Sequence, residues 1–211
     1  MEQNSLTILF HPVKLVVFDL DGTLTRPFLD FKAIRREIEA ALANEFSFPM
    51  EAPLLERILG LPETPRRRAL AILESHETRS AEHSTLNDGA LEIVDWLRAA
   101  CVPAALLTRN RRDVTDAVIA KHGLRLDAVA TRDDGPLKPD PRSVLRLVER
   151  FRAHVRETLV VGDFRYDIDA GRAAGTRTCL LTNGSPPRFK VEADHVIERL
   201  LDLRALVRAS R

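Results

Sequence analysis

Cysteine is scarce, with only Cys101 and Cys179 in 211 residues. Both lie in apolar surroundings, and neither belongs to a CxxC or Cys/His cluster. This argues against a disulfide-built scaffold and a thiolate metal site, and predicts two reduced thiols in the core. Charge of one sign is also missing. Lys and Arg total 32 against 31 Asp and Glu, a formal charge of +1, so no global field points to nucleic acid or an anionic membrane. No apolar run approaches the roughly 18–20 residues that span a bilayer. Residues 1–12 lack a basic segment followed by an apolar core, and neither Glu2 nor the terminal Ala209-Ser210-Arg211 is a lipidation signal. The expectation is a cytoplasmic protein without nucleic-acid or membrane partners. Internal repeats and low-complexity segments are absent as well.

What is present is a soluble globular composition, 45% hydrophobic and 30% charged, enough for a sizeable core. The length suits one large domain or a core with a modest second unit. Short β-prone runs alternate with longer helical patterns: KLVVF at 14–18, PAALL at 103–107, TLVVG at 158–162 and TRTCLL at 176–181, with a shorter run at Ala128 to Thr131. Unbroken apolar strands suit a sheet covered on both faces, so the pattern predicts an α/β fold with a doubly wound parallel sheet. Val114, Ala117 and Val118 precede Lys121-His122-Gly123, a helix with a glycine cap, and Val144, Leu147, Val148 and Phe151 form a second stripe. A last amphipathic helix is expected around Leu200 to Val207.

Residues 26–86 break this rhythm. No convincing strand occurs there, but Phe31, Ile34, Ile38 and Leu42 recur at helical spacing, and Leu54, Leu55, Ile58 and Leu59 form a shorter stripe. Thr64-Pro65 offers a cap followed by proline at the first helical position. The prediction is an inserted domain of three or four helices over 26–86, with the α/β core formed by 1–25 and 87–211. Nine basic against ten acidic residues from Arg26 to Glu82 argue against a polyanion-binding arm.

Acidic and hydroxyl residues fall just after the apolar runs, where an open α/β sheet places its ligand site. Asp19 and Asp21 follow the first, Thr108 the second and Asp163 the fourth, while Lys138 precedes the helix before that strand. On an extended chain Asp19 and Asp21 share a face until Gly22 turns the backbone. Their mutual repulsion is relieved by a divalent cation, and hard oxygen donors suit Mg²⁺, with Asp163 able to add another oxygen. Lys138 and the Thr108 hydroxyl can then hold phosphate oxygens while Asp19 attacks phosphorus.

These residues carry a resemblance. VVFDLDGTLT at Val16 to Thr25, Leu106-Leu107-Thr108, Lys138-Pro139-Asp140-Pro141 and VVGDFRYDIDAGRAAG at Val160 to Gly175 resemble, in order and spacing, the four motifs of haloacid dehalogenase-like hydrolases of the phosphatase branch. The resemblance implies a Rossmann-like core, Asp19 as nucleophile and Asp21 as the acid and base. It further implies Mg²⁺ held by Asp19, the backbone oxygen of Asp21 and Asp163, phosphate held by Thr108 and Lys138, and Asp167 supporting the metal shell or Lys138. The insertion resembles the helical cap of phosphoglycolate-phosphatase-like members, which contributes to substrate choice. One departure stands out: many relatives carry Asn directly after the second-motif Thr, whereas here Arg109 intervenes before Asn110. Arg109 is therefore a candidate contact for a second anionic group on the substrate, and Arg165 inside the fourth motif is a similar one.

The expected activity is Mg²⁺-dependent hydrolysis of a small phosphorylated metabolite, either phosphoglycolate-like or a sugar phosphate, through an aspartyl phosphate. Asp21 argues against dehalogenase and phosphonatase chemistry. Two alternatives stay open: a phosphotransferase resembling β-phosphoglucomutase, and a noncatalytic aspartyl-phosphate module resembling receiver domains. Substrate identity and oligomeric state are not legible in these residues.

Overall fold

Four consecutive buried residues, Leu15–Phe18, form the first strand (β1) of the computed structural model, which describes residues 12–26, 28–187, 189–190 and 192–209. Leu15 and Val17 pack on one sheet face, and Val16 and Phe18 on the other; none is accessible to solvent. Such two-sided burial requires helices on both faces.

The remaining strands are Ala104–Leu107 (β2), Ala128–Ala130 (β3), Thr158–Gly162 (β4), Arg177–Leu181 (β5) and His195–Ile197 (β6). They pair in parallel in the order β3-β2-β1-β4-β5-β6, which confirms the doubly wound parallel sheet. β1 sits between β2 and β4, with Phe18 level with Leu106 and Val161. The residues after these strands therefore meet at the carboxyl end of the sheet, at the point where the strand order reverses direction and open α/β sheets place their ligands.

The core helices are Ala90–Ala99 (α4), Arg112–His122 (α5), Pro141–Arg150 (α6), Arg165–Ala173 (α7) and Leu203–Ala209 (α8). Val144, Leu147 and Val148 of α6, with Ala170 of α7, cover Leu15, Val17, Ala105, Leu107 and Val160 in one apolar cluster. Fully burying a branched aliphatic side chain contributes about 1.5–3 kcal/mol, so this cluster is a principal anchor for the strand ends. α5 ends on Gly123 in the left-handed conformation, as its sequence suggests.

The chain forms two compact units, this one, Met1–Arg26 with Thr85–Arg211, and a second, Pro27–Ser84. Thr25 bridges Leu86 antiparallel and Arg26 N donates to Thr85 O at 2.9 Å, which ties the two connecting segments to the core. The second unit contains Phe31–Ala41 (α1), Leu54–Leu59 (α2) and Glu63–His83 (α3). Ile34, Ile38, Leu55, Ile58 and Leu73 are buried within it. Asp30 caps α1 by accepting from the amides of Lys32 and Ala33, both at 3.0 Å. Buried Arg35 donates to the carbonyls of Ala52 at 2.8 Å and Pro49 at 3.3 Å, holding the loop between α1 and α2.

Several expectations need correction. Helix α3 begins at Glu63 after Pro62, so Thr64 is not its cap and Pro65 stands in the first turn. Proline is tolerated there because the first amides of a helix have no partner inside it. Cys101 is exposed rather than a core thiol: it lies in the turn between α4 and β2 with φ 54°, outside the packed layers. Cys179 is buried in β5, which pushes its thiol up to about 12. Leu200 opens a 3-10 turn, Leu200–Asp202, ahead of α8. Among the described residues no helix is long and apolar enough to cross a membrane.

Candidate active site

The first strand delivers Asp19 to the carboxyl end of the sheet. Its amide donates to Val161 O at 2.9 Å, prolonging the β1 and β4 pairing by one bond. The chain then turns tightly: Thr25 N donates to Leu20 O at 2.9 Å and Gly22 N to Thr25 O at 2.8 Å. Gly22 is required here. Its φ is +87°, and a Cβ would lie 2.1 Å from Asp163 Oδ2, so any side chain would meet both strain and a clash. Gly162 has a similar role, since a Cβ there would fall 2.2 Å from Asp167 Cγ.

This close approach gathers carboxylates. Asp19, Asp163 and Asp167 each offer one oxygen, and the three oxygens lie within 4.8 Å of one another. Asp163 accepts from Thr23 Oγ1 at 3.2 Å. Asp167, in the first turn of α7, accepts from Phe164 N at 3.1 Å. Lys138, only 3% exposed, completes the group, with Nζ 2.5 Å from Asp19 Oδ1 and 2.6 Å from Asp167 Oδ1.

The electrostatics follow from this crowding. Burial, with the charges of Asp19 and then Asp167, raises the Asp163 carboxyl well above its ordinary range. Burial raises Asp167 too, against the opposing pull of Lys138. Burial alone would push the Lys138 ammonium down, but Asp167 and Asp19 together overcome it and hold the charge. A cluster that favours a proton on one of its carboxylates equally favours a cation among them. Its all-oxygen donors fit the hard character of Mg²⁺.

Asp21 stands apart from the cluster. Its Oδ2 accepts from Asn110 Nδ2 at 2.6 Å and its Oδ1 from Thr25 Oγ1 at 3.3 Å. Burial and the neighbouring charge of Asp19 raise its carboxyl to about 6, with the Asn110 hydrogen bond working the other way. Such a group can carry a proton near neutral pH. Thr108 is buried at the end of β2, and its hydroxyl accepts from Asn110 N at 3.2 Å.

Arg109 and Arg165 are placed differently from these residues. The Arg109 guanidinium lies 4.7 Å from the centre of the Tyr166 ring, and its Nη1 donates to the carbonyl oxygen of Lys138. Arg165 pairs with Asp169 one turn along α7 at 3.6 Å, with more than half of its side chain in solvent.

Sequence reasoning missed the asparagines. Besides Asn110, Asn87 Nδ2 donates to Thr23 O at 3.0 Å and Asn183 Nδ2 to Gly22 O at 2.8 Å, while Asn87 Nδ2 also meets Asn183 Oδ1 at 2.7 Å. Together they brace the turn carrying Asp21. Asn110 had a signal, the displaced Asn of the second motif; the other two, 64 and 161 positions from their partners, had none.

The model for haloacid dehalogenase-like hydrolases matches residues 13–175. A haloacid dehalogenase-like hydrolase domain-containing protein of Arabidopsis thaliana is 28% identical over 203 residues, covering 89% of this chain and 83% of that protein. A phosphoglycolate phosphatase of Nitrosospira multiformis is 26% identical over 231 residues, covering 94% and 97%. Among solved structures, a hydrolase from Pseudomonas syringae superposes with a TM-score of 0.75 at 22% identity, over 93% of this chain and 98% of that one, a likeness of fold. With the matched span running through Asp19, Thr108, Lys138, Asp163 and Asp167, the chain belongs to the haloacid dehalogenase-like hydrolases and is an enzyme of that family.

Proposed function

We propose that this hydrolase is a Mg²⁺-dependent phosphatase of small phosphorylated metabolites, acting through an aspartyl phosphate on Asp19. The observation that carries the reading is the junction of Asp19 with Lys138 inside the Asp19, Asp163 and Asp167 cluster. A phosphoglycolate phosphatase among the relatives supports the substrate class. Mg²⁺, when bound, offsets the negative charge that carboxylates and a phosphate dianion bring together. Asp19, Asp163 and the backbone oxygen of Asp21 would hold it, with Asp167 behind them holding Lys138.

The chain's own residues do the rest. A carboxylate oxygen of Asp19 attacks phosphorus, and the bond between phosphorus and the ester oxygen breaks. Asp21 gives its proton to the departing oxygen. It then takes one from the water that attacks the aspartyl phosphate, which frees inorganic phosphate and restores Asp19. Lys138 and the Thr108 hydroxyl steady the non-ester oxygens, where charge accumulates in the transition state. Substrate choice resides in the inserted unit 27–84.

Incubation with para-nitrophenyl phosphate and Mg²⁺ tests the reading. Many phosphates released per protein are expected; release that stops at about one would instead mark an aspartyl-phosphate switch. A panel of phosphoglycolate, sugar phosphates and nucleotides then ranks the substrates.

A further inference from the structure

We propose that Arg109 is a positioning residue for Lys138 rather than a substrate contact; the proposal rests on the phosphatase reading above. Lys138 must bridge Asp19 and Asp167 from the end of a flexible four-carbon stem. Its backbone lies in the loop between the 3-10 turn Arg132–Asp134 and α6, outside regular structure. The position of the ammonium therefore depends on what fixes that loop.

Arg109 fixes it from outside. Its Nη1 donates to the Lys138 carbonyl, and its guanidinium carbon lies over the Tyr166 ring, 4.7 Å from the centre. Tyr166 immediately precedes Asp167 on α7, so Arg109 ties the backbone of Lys138 to the residue adjoining Lys138's own ion-pair partner. Three chain segments meet in this one side chain: the turn after β2, the lysine loop and the start of α7. A guanidinium suits the role because it stacks on a ring through its face while its edge donates a hydrogen bond. An asparagine at this position would be too short to do both.

Arg109→Met, Arg109→Lys and the wild-type enzyme are compared on two esters, para-nitrophenyl phosphate, whose leaving group is uncharged before cleavage, and phosphoglycolate, which carries a carboxylate. The Met side chain keeps the apolar stem and loses the donor. Arg109→Met should lose kcat by about 10- to 100-fold, the scale of a small misplacement of a catalytic group. The loss should be equal for both esters with KM little changed, and Arg109→Lys should recover part of it by donating to the same carbonyl. Unchanged kcat with KM raised for phosphoglycolate alone would overturn the proposal, since it marks a contact with the second anion.

Hydrogen exchange supplies a readout independent of turnover. The amide of Asp140, which donates to Leu137 O at 2.8 Å, should lose protection in Arg109→Met but not in Arg109→Lys. Unaltered protection in Arg109→Met would overturn the proposal. A wild-type protein inactive on every ester would sink the phosphatase reading, and the exchange result would then decide by itself whether Arg109 holds the lysine loop.

Discussion

Lys138 Nζ lies 2.5 Å from Asp19 Oδ1, joining residues 119 positions apart in the chain. The pair is nearly closed to water, with side chains 3% and 13% exposed. A buried charge that loses its partner is strongly destabilised, typically by about 3–5 kcal/mol. The pair is thus both a structural commitment and a means of holding the Asp19 carboxylate in one orientation.

Lys138→Ala should therefore lower kcat by orders of magnitude. Thermal melting separates this effect from collapse: the variant should still unfold cooperatively. A folded variant with near-normal turnover would place the lysine outside the chemistry.

Asn110→Ala removes the 2.6 Å donor to Asp21. If Asp21 moves the proton, the loss should be about tenfold or more for an alkyl phosphate, whose leaving oxygen must be protonated, and smaller for an aryl phosphate. Steady-state kcat on the two esters is the measurement. Equal losses would show that Asn110 does not act through proton transfer.

Cation binding should depend on pH with a definite sign. Asp163 is raised to about 8, first by burial and then by Asp19 and Asp167. A carboxyl raised on folding favours the native state while protonated, and that contribution is lost as pH rises from the ordinary carboxylate range toward 8. Mg²⁺ competes with this proton, so its stabilisation should grow over the same window. At a concentration 100 times Kd the melting temperature should rise by about 5–10 °C at pH 8, and by less at pH 5. A rise independent of pH would mean that these carboxylates do not receive the ion.

The two thiols should differ sharply. Iodoacetamide should modify exposed Cys101 in the native protein, while Cys179, buried and pushed up to about 12, should react only after unfolding. Intact mass before and after denaturation checks this; modification of Cys179 under native conditions would contradict the packing of β5.

The strands that position the site were legible because they are continuous apolar runs, and Asp19, Asp163 and Lys138 because they follow or precede those runs. Strand β6 was not: His195–Ile197 has only three residues, of which only Ile197 is buried, so no run announces it. The α3 start misled because Thr64-Pro65 matches the local pattern of a cap followed by proline, whereas the helix opens two residues after Leu61, at Glu63. The environments of Asp21 and Lys138 stayed hidden for another reason. Asn110, Asn183 and Tyr166 meet their partners only after the sheet brings distant loops together, and residue type alone does not encode that meeting.

The central claim is that Asp19 carries the phosphoryl group and Asp21 the proton. Rapid quench with an aryl phosphate and Mg²⁺ tests it most directly, comparing Asp19→Asn with Asp21→Asn. The Asp21→Asn protein should release up to about one equivalent of phenol before slow hydrolysis limits it, because an aryl leaving group needs little protonation. The bound phosphate should map to Asp19. The Asp19→Asn protein should show neither burst nor phosphoenzyme. A burst from Asp19→Asn, phosphate on another residue, or unimpaired steady turnover in Asp21→Asn would contradict the account.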